Sequence, residues 1–182
     1  MDWPRSLAAR GAAPLHARHL RYRTPHPSAA ALHCFVLDCS ASMLAAGRLA
    51  RAKGVLAALM AQAYRWRDHV AVIGLDGQGV HLLRPPGRAR HAAPRWLPPL
   101  GGGGGTPLAQ ALAQADALLR RHGSGPRWLW LLTDGRTRDI PPRPAHAQRL
   151  CLIDFDTARP PLGRAQALAA QWQAQWLPAG AL

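Results

Sequence analysis

Four short runs of almost uninterrupted apolar residues constrain what this chain can fold into. They are Leu32 to Leu37 (LHCFVL), Val70 to Leu75 (VAVIGL), Trp128 to Leu132 (WLWLL) and Leu150 to Ile153 (LCLI). A strand with one wet face alternates apolar and polar side chains. A run that is apolar throughout suits a strand buried on both faces, as in a parallel sheet covered by helices on either side. Between the runs the period changes. Leu49, Ala52, Leu56, Leu59 and Ala63 share one face of a helix spanning Leu44 to Trp66. Leu108, Ala111, Leu112, Ala115, Leu118 and Leu119 form a second stripe, and Leu162, Ala165, Leu168, Ala169 and Trp172 a third. The expected fold is therefore α/β: a Rossmann-like, three-layer domain with a mostly parallel central sheet and helices on both faces.

Smaller elements fill the gaps. Val80 to Leu83 follows Val70 to Leu75 after a turn at Asp76–Gly79, too soon for a crossover, so it predicts one antiparallel edge strand. A short helix, broken near Pro94, is expected over Arg88 to Leu97, and a short edge strand at Trp176–Leu177. Residues 1–30 are rich in Arg, Pro, His and Ala, and Pro4, Pro14, Pro25 and Pro27 exclude a long helix there. They read as an N-terminal arm, with room for a short helix at Arg5 to Arg10, ahead of one domain over 31–182.

Composition narrows the class. No apolar run approaches the roughly 18–20 residues of a membrane span, and the N-terminus lacks the apolar stretch of a secretory signal. Three cysteines, Cys34, Cys39 and Cys151, are an odd number at wide spacing, and two fall in strand-like runs. They are expected to be reduced, in a cytoplasmic protein. The net charge of +14 invites a nucleic-acid reading. Yet the cations are spread along the whole chain and are nearly all Arg, with no dense basic cluster. The expectation is a basic surface that attracts acidic partners, not a nucleic-acid binder.

The residues that carry chemistry stand where strands end or helices begin. Asp38-Cys39-Ser40-Ala41-Ser42, a DxSxS pattern, directly follows the first apolar run. Thr106 closes the glycine run Gly101 to Gly105 at the N-cap of the helix that opens with Pro107. Asp134 directly follows WLWLLT. In open α/β sheets, ligands bind beyond the carboxyl ends of the strands, so these segments can converge. The donors are all hard oxygens, which suits Mg²⁺ (or Mn²⁺). Ser40, Ser42 and Thr106 can ligate directly, and Asp38 and Asp134 directly or through water. Two carboxylates only balance the ion, so a partner's Asp or Glu would be drawn to an open position.

DxSxS, a glycine-rich loop ending in Thr, and LLTDG, in this order, resemble the metal-ion-dependent adhesion site of von Willebrand factor A and integrin I domains. VLDCSASM, RLARAKG, RWRDHVAVIGLDG, LPPLGGGGGTPLAQAL and LWLLTDGRTRDI look like one branch, the C-terminal domain of the magnesium chelatase D subunit, within the magnesium/cobalt chelatase family. The tail LIDFDTARPPLGRAQALAAQW is similar to that branch too, and the leader MDWPRSLAARGAAPL more loosely. The resemblance implies a non-catalytic, metal-dependent accessory subunit of an ATP-driven chelatase that inserts Mg or Co into a tetrapyrrole, for chlorophyll or cobalamin. Its partners would be an AAA+ ATPase subunit and a large tetrapyrrole-binding subunit. D subunits of that branch carry an AAA+ module and an acidic, Pro-rich linker, which these residues lack. The ATPase is therefore expected as a separate chain. The alternative is a free-standing adaptor for another AAA+ partner.

Other chemistry is weaker. No Lys follows the glycines in a GK[ST] arrangement, so a phosphate-binding Walker loop is not expected. Ser40 lacks the GxSxG elbow of a nucleophile, which ranks a hydrolase low. The nine His are scattered. Trp66, Trp96, Trp128, Trp130, Trp172 and Trp176 read as core or interface anchors, and Asp154 and Asp156 as turn residues and not extra ligands.

Overall fold

A computed structural model describes residue 16 and residues 29–90, 107–137 and 140–181. The arm at residues 1–28, apart from residue 16, lies outside the described residues. So do residues 91–97 of the expected short helix, the glycine run and Thr106.

Six strands form one sheet in the order β3-β2-β1-β4-β5-β6. They are β1 (Leu32–Asp38), β2 (His69–Asp76), β3 (Gly79–Arg88), β4 (Arg127–Thr133), β5 (Arg149–Asp154) and β6 (Gln175–Pro178). All neighbours pair in parallel except β2 and β3. The four apolar runs are the four interior strands, and β1 is buried at every position. Among the described residues, the helices of eight or more residues are α2 (Arg48–Trp66), α3 (Leu108–Arg121) and α4 (Arg164–Trp172). A four-residue turn of helix, α1 (Ala41–Leu44), precedes α2.

Burial on both faces follows from the pleat. Side chains of β1 alternate between two cores: Cys34 and Val36 pack with α3 and α4, while Phe35 and Leu37 pack with α2. Trp172 anchors the first core, and its indole N–H donates to the Pro141 carbonyl at 3.1 Å. Among the other expected aromatic anchors, Trp128 and Trp130 stack 5.5 Å apart on the α2 face, and Trp66 is 60% exposed.

Two differences from the sequence expectation have clear causes. The predicted helix over Leu44 to Trp66 is interrupted at Ala46 and Gly47, which both take left-handed backbone angles (φ 53° and 69°). Gly47 adopts that region without a steric cost, so it ends one helical turn and lets α2 restart at Arg48. The second difference is that β3 continues through Pro85 and Pro86 to Arg88, which pairs with His69. The two prolines are tolerated because they fall on an edge strand at a register shift between Val70 and Val72, where neither has a ladder partner. Arg88 is thus strand, where a helix was expected to begin.

The order of the sheet positions the site. The chain leaves β1 toward β2 on one side, then crosses to β4 on the other. The carboxyl ends of β1 and β4 therefore flank the point where strand order reverses, and the connections there leave in opposite directions and open a crevice.

Candidate metal centre

At that crevice Asp38 ends β1, and Asp134 follows β4 directly. Both are 1% exposed. The Thr133 hydroxyl donates to Asp38 Oδ2 at 2.7 Å and accepts from the Gly135 amide at 3.0 Å, so one side chain ties the two strand ends together. Asp38 Oδ1 accepts the Ser40 amide at 2.9 Å. This turns the DxSxS loop back over the strand end, and the hydroxyls of Ser40 and Ser42 stand 3.1 Å apart. The Cys39 amide donates to the Leu75 carbonyl at 2.8 Å, which fixes the loop to β2 as well.

The site holds two carboxylates out of water. Burial pushes the Asp38 carboxyl above its ordinary value, and the charge of Asp134 pushes the same way. Hydrogen bonds from Thr133 and Ser40 pull it back only in part. Asp134 Oδ1 accepts the Arg136 amide at 3.2 Å, but Oδ2 is buried with no hydrogen-bond partner among the described residues. A buried carboxylate oxygen that accepts no hydrogen bond is expensive, and it leaves lone pairs open to a cationic ligand. Two guanidinium groups approach it without bonding, Arg136 Nε at 3.4 Å and Arg48 Nη1 at 3.7 Å. Arg48 is anchored elsewhere, to the Ser42 carbonyl at 2.8 Å and the Thr157 hydroxyl at 2.9 Å.

These donors fit a small hard cation. Octahedral Mg²⁺ holds oxygens at about 2.1 Å, which sets adjacent ligand oxygens about 3.0 Å apart, close to the Ser40–Ser42 spacing. Asp38 already uses both oxygens to shape the loop, so its contribution is charge and position. Asp134 Oδ2 has open lone pairs. Thus four of the five expected ligands, Asp38, Ser40, Ser42 and Asp134, meet at one crevice, and Thr106 lies outside the described residues. Among the described residues no group of three or more His, Cys, Asp or Glu forms a metal cluster.

A von Willebrand factor type A domain model matches residues 34–136, more than half of the chain. The chain belongs to the von Willebrand factor type A family. The match runs from within β1 to just past Asp134. Solved structures share the fold: a von Willebrand factor type A protein from Catenulispora acidiphila superposes with a TM-score of 0.54 at 22% identity, covering 76% of this chain and 37% of that one. The PilB minor pilin from Streptococcus sanguinis gives a TM-score of 0.62 at 10% identity, covering 82% and 56%. Curated relatives are closer in sequence. The magnesium-chelatase 60 kDa subunit of Cereibacter sphaeroides is 44% identical over 105 residues, which is 56% of this chain and 18% of that protein. The magnesium-chelatase 67 kDa subunit of Heliobacterium mobile is 42% identical over 109 residues, 58% and 16%. The aligned segment thus spans less than a fifth of those relatives.

The structure also brings in residues that the sequence did not single out. Thr133, Arg48 and Arg136 shape the site as much as the expected ligands do. Thr133 and Arg136 flank Asp134 in the chain, so their closeness was readable. Arg48 was not, because the break before α2 is what brings it near Asp134. Asp154 and Asp156 form turns as expected: Asp154 Oδ1 accepts the Asp156 amide at 2.8 Å, and Asp156 accepts the Ala158 and Leu162 amides. Burial pushes the Cys39 thiol up to about 12, with the Asp38 charge adding to it, so it is not poised as a nucleophile.

Proposed function

We propose that this domain is a non-catalytic accessory subunit of an ATP-driven metallochelatase, one that inserts Mg or Co into a tetrapyrrole. It would bridge an AAA+ ATPase subunit and the large tetrapyrrole-binding subunit. The observation that carries the reading is the buried Asp134 Oδ2, near two guanidinium groups but hydrogen-bonded by none, beside Asp38, Ser40 and Ser42, in a segment 42–44% identical to magnesium-chelatase subunits over 105–109 residues.

Asp38, Ser40, Ser42 and Asp134 would hold Mg²⁺ or Mn²⁺, with Thr106 as a further ligand. Such an ion supplies an open coordination position for a partner's carboxylate. The chain's own residues do the rest. Thr133 holds the β1 and β4 ends at fixed separation. Asp38 accepts the Ser40 amide and so holds the turn on which the Ser40 and Ser42 hydroxyls meet. Burial removes competing water, which strengthens any charge pairing made there. No helix among the described residues is long and apolar enough to cross a membrane. The proposed place of work is the cytoplasm.

The alternative is an adaptor for a different AAA+ partner. Affinity capture from the source organism in Mg²⁺ and in EDTA separates them. An AAA+ ATPase and a large chelatase subunit retained in Mg²⁺ and lost in EDTA support the chelatase reading. An AAA+ ATPase retained without any chelatase subunit favours the alternative. Retention unaffected by EDTA overturns the metal bridge.

A further inference from the structure

Beside the metal centre, the loop after β4 and one stripe of α4 enclose an open groove. Arg136, Ile140, Arg164, Ala167, Leu168 and Gln171 line it. The four α4 positions follow the i, i+3, i+4, i+7 spacing, so a single helical face supplies one whole wall. Leu168 is 4% exposed and makes an apolar floor, whereas Ile140 on the opposite wall is 66% exposed. A large aliphatic side chain this open at a groove's rim offers apolar area to a partner.

The charges among the groove's described lining have one sign. Arg136 and Arg164 stand on it, no acidic side chain is among its described lining, and Arg164 makes no ion pair with any described residue. The chain as a whole carries +14. The groove is also fixed to the metal centre. A Cβ on Gly135 would lie 2.5 Å from the Ala165 amide nitrogen, so the residue after Asp134 packs directly on the start of α4. Arg136 belongs to both places: its Nε lies 3.4 Å from Asp134 Oδ2 while its side chain borders the groove.

We propose that this groove holds a partner polypeptide segment in which carboxylates are interleaved with apolar side chains, running toward Asp134. Arg136 and Arg164 pair with the carboxylates, and Leu168, Ala167 and Ile140 take the apolar groups. This deepens the reading above and rests on it in one respect: when a cation neutralises Asp134, Arg136 is released to face the groove. Charge alone would also attract nucleic acid, but the apolar floor and the open Ile140 favour a polypeptide.

Fluorescence polarisation of the full chain tests this with four labelled probes: a short peptide of alternating Asp and Leu, its Asp/Ser and Lys/Leu counterparts, and an oligothymidylate of similar charge. The Asp/Leu peptide is expected to bind tightest, and Arg164→Glu and Ala167→Glu to weaken it on the order of tenfold. Both positions are solvent-exposed on α4, and an unchanged Mn²⁺ titration and thermal melt would show that the fold and metal centre remain. Equal binding of the Asp/Ser peptide or the oligothymidylate overturns the proposal, as does Asp/Leu binding within twofold of wild type in both variants. Peptide binding that survives EDTA yet falls in Arg164→Glu upholds the groove and counts against the metal bridge. Mn²⁺ binding that depends on Asp38, with no groove-dependent peptide binding, does the reverse.

Discussion

Arg48 holds its guanidinium 3.7 Å from the buried Oδ2 of Asp134, near enough to feel its charge but too far to hydrogen-bond it. The Ser42 carbonyl and the Thr157 hydroxyl fix it there. The carboxylate therefore has a neighbouring positive charge and still has an unused oxygen. A divalent ion on this crevice would compete with Arg48 for Asp134 and would be repelled by it.

Arg48→Gln is accordingly expected to tighten Mn²⁺ binding by about fivefold, roughly 1 kcal/mol, by removing that repulsion. Isothermal titration of both proteins at equal ionic strength measures it. Unchanged or weaker binding in the variant contradicts repulsion of the cation by Arg48.

Gly135 is the second test. Its φ of 73° is in the left-handed region, and a Cβ there would meet the Ala165 backbone at 2.5 Å. Neither the turn nor the helix can give way cheaply. Gly135→Ala is expected to cost about 2–3 kcal/mol in urea unfolding, more than the ordinary glycine-to-alanine change, because backbone strain and overpacking add. A change under about 0.5 kcal/mol would mean that α4 is not held against the Asp134 loop.

The carboxylate of Asp76 caps the turn of the β2–β3 hairpin. Burial works against its charge, but donors from the Gln78 amide, the His81 ring and the Gly79 amide hold its pKa below the ordinary value. A depressed carboxylate stabilises the fold above its unfolded pKa, about 3.9, and that stabilisation is lost as pH falls through the folded value. Asp76→Asn should therefore lower stability by about 1 kcal/mol near neutral pH, and the gap to wild type should close as the pH drops below about 4. A gap that is the same at both ends shows that the charge of Asp76 is not what secures the turn.

The reach of the sequence follows from which forces are local. The interior strands were legible because burial on both faces leaves unbroken apolar runs such as Val70 to Leu75. Asp38, Ser40, Ser42 and Asp134 were legible because strand-end position is encoded next to them in the chain. The break at Ala46–Gly47 was hidden, since alanines on either side read as continuous helix and only tertiary packing selects the left-handed turn. With it went the role of Arg48, ten residues from Asp38 in sequence yet brought to Asp134 in space. The length of β3 was hidden for a different reason. Pro85 and Pro86 look like a stop unless the strand is known to lie at the edge of the sheet. The groove was invisible because its two walls come from segments on either side of β5.

The ion site itself is tested most directly by titrating Mn²⁺ into the wild-type chain and Asp38→Ala, followed by electron paramagnetic resonance, with circular dichroism on both. We expect one saturable site in the wild type, displaced by Mg²⁺, and binding weakened at least on the order of tenfold in the variant while its fold is retained. A wild-type chain that binds no Mn²⁺ at millimolar concentration, or a folded Asp38→Ala that binds it equally well, would contradict a metal centre at the ends of β1 and β4.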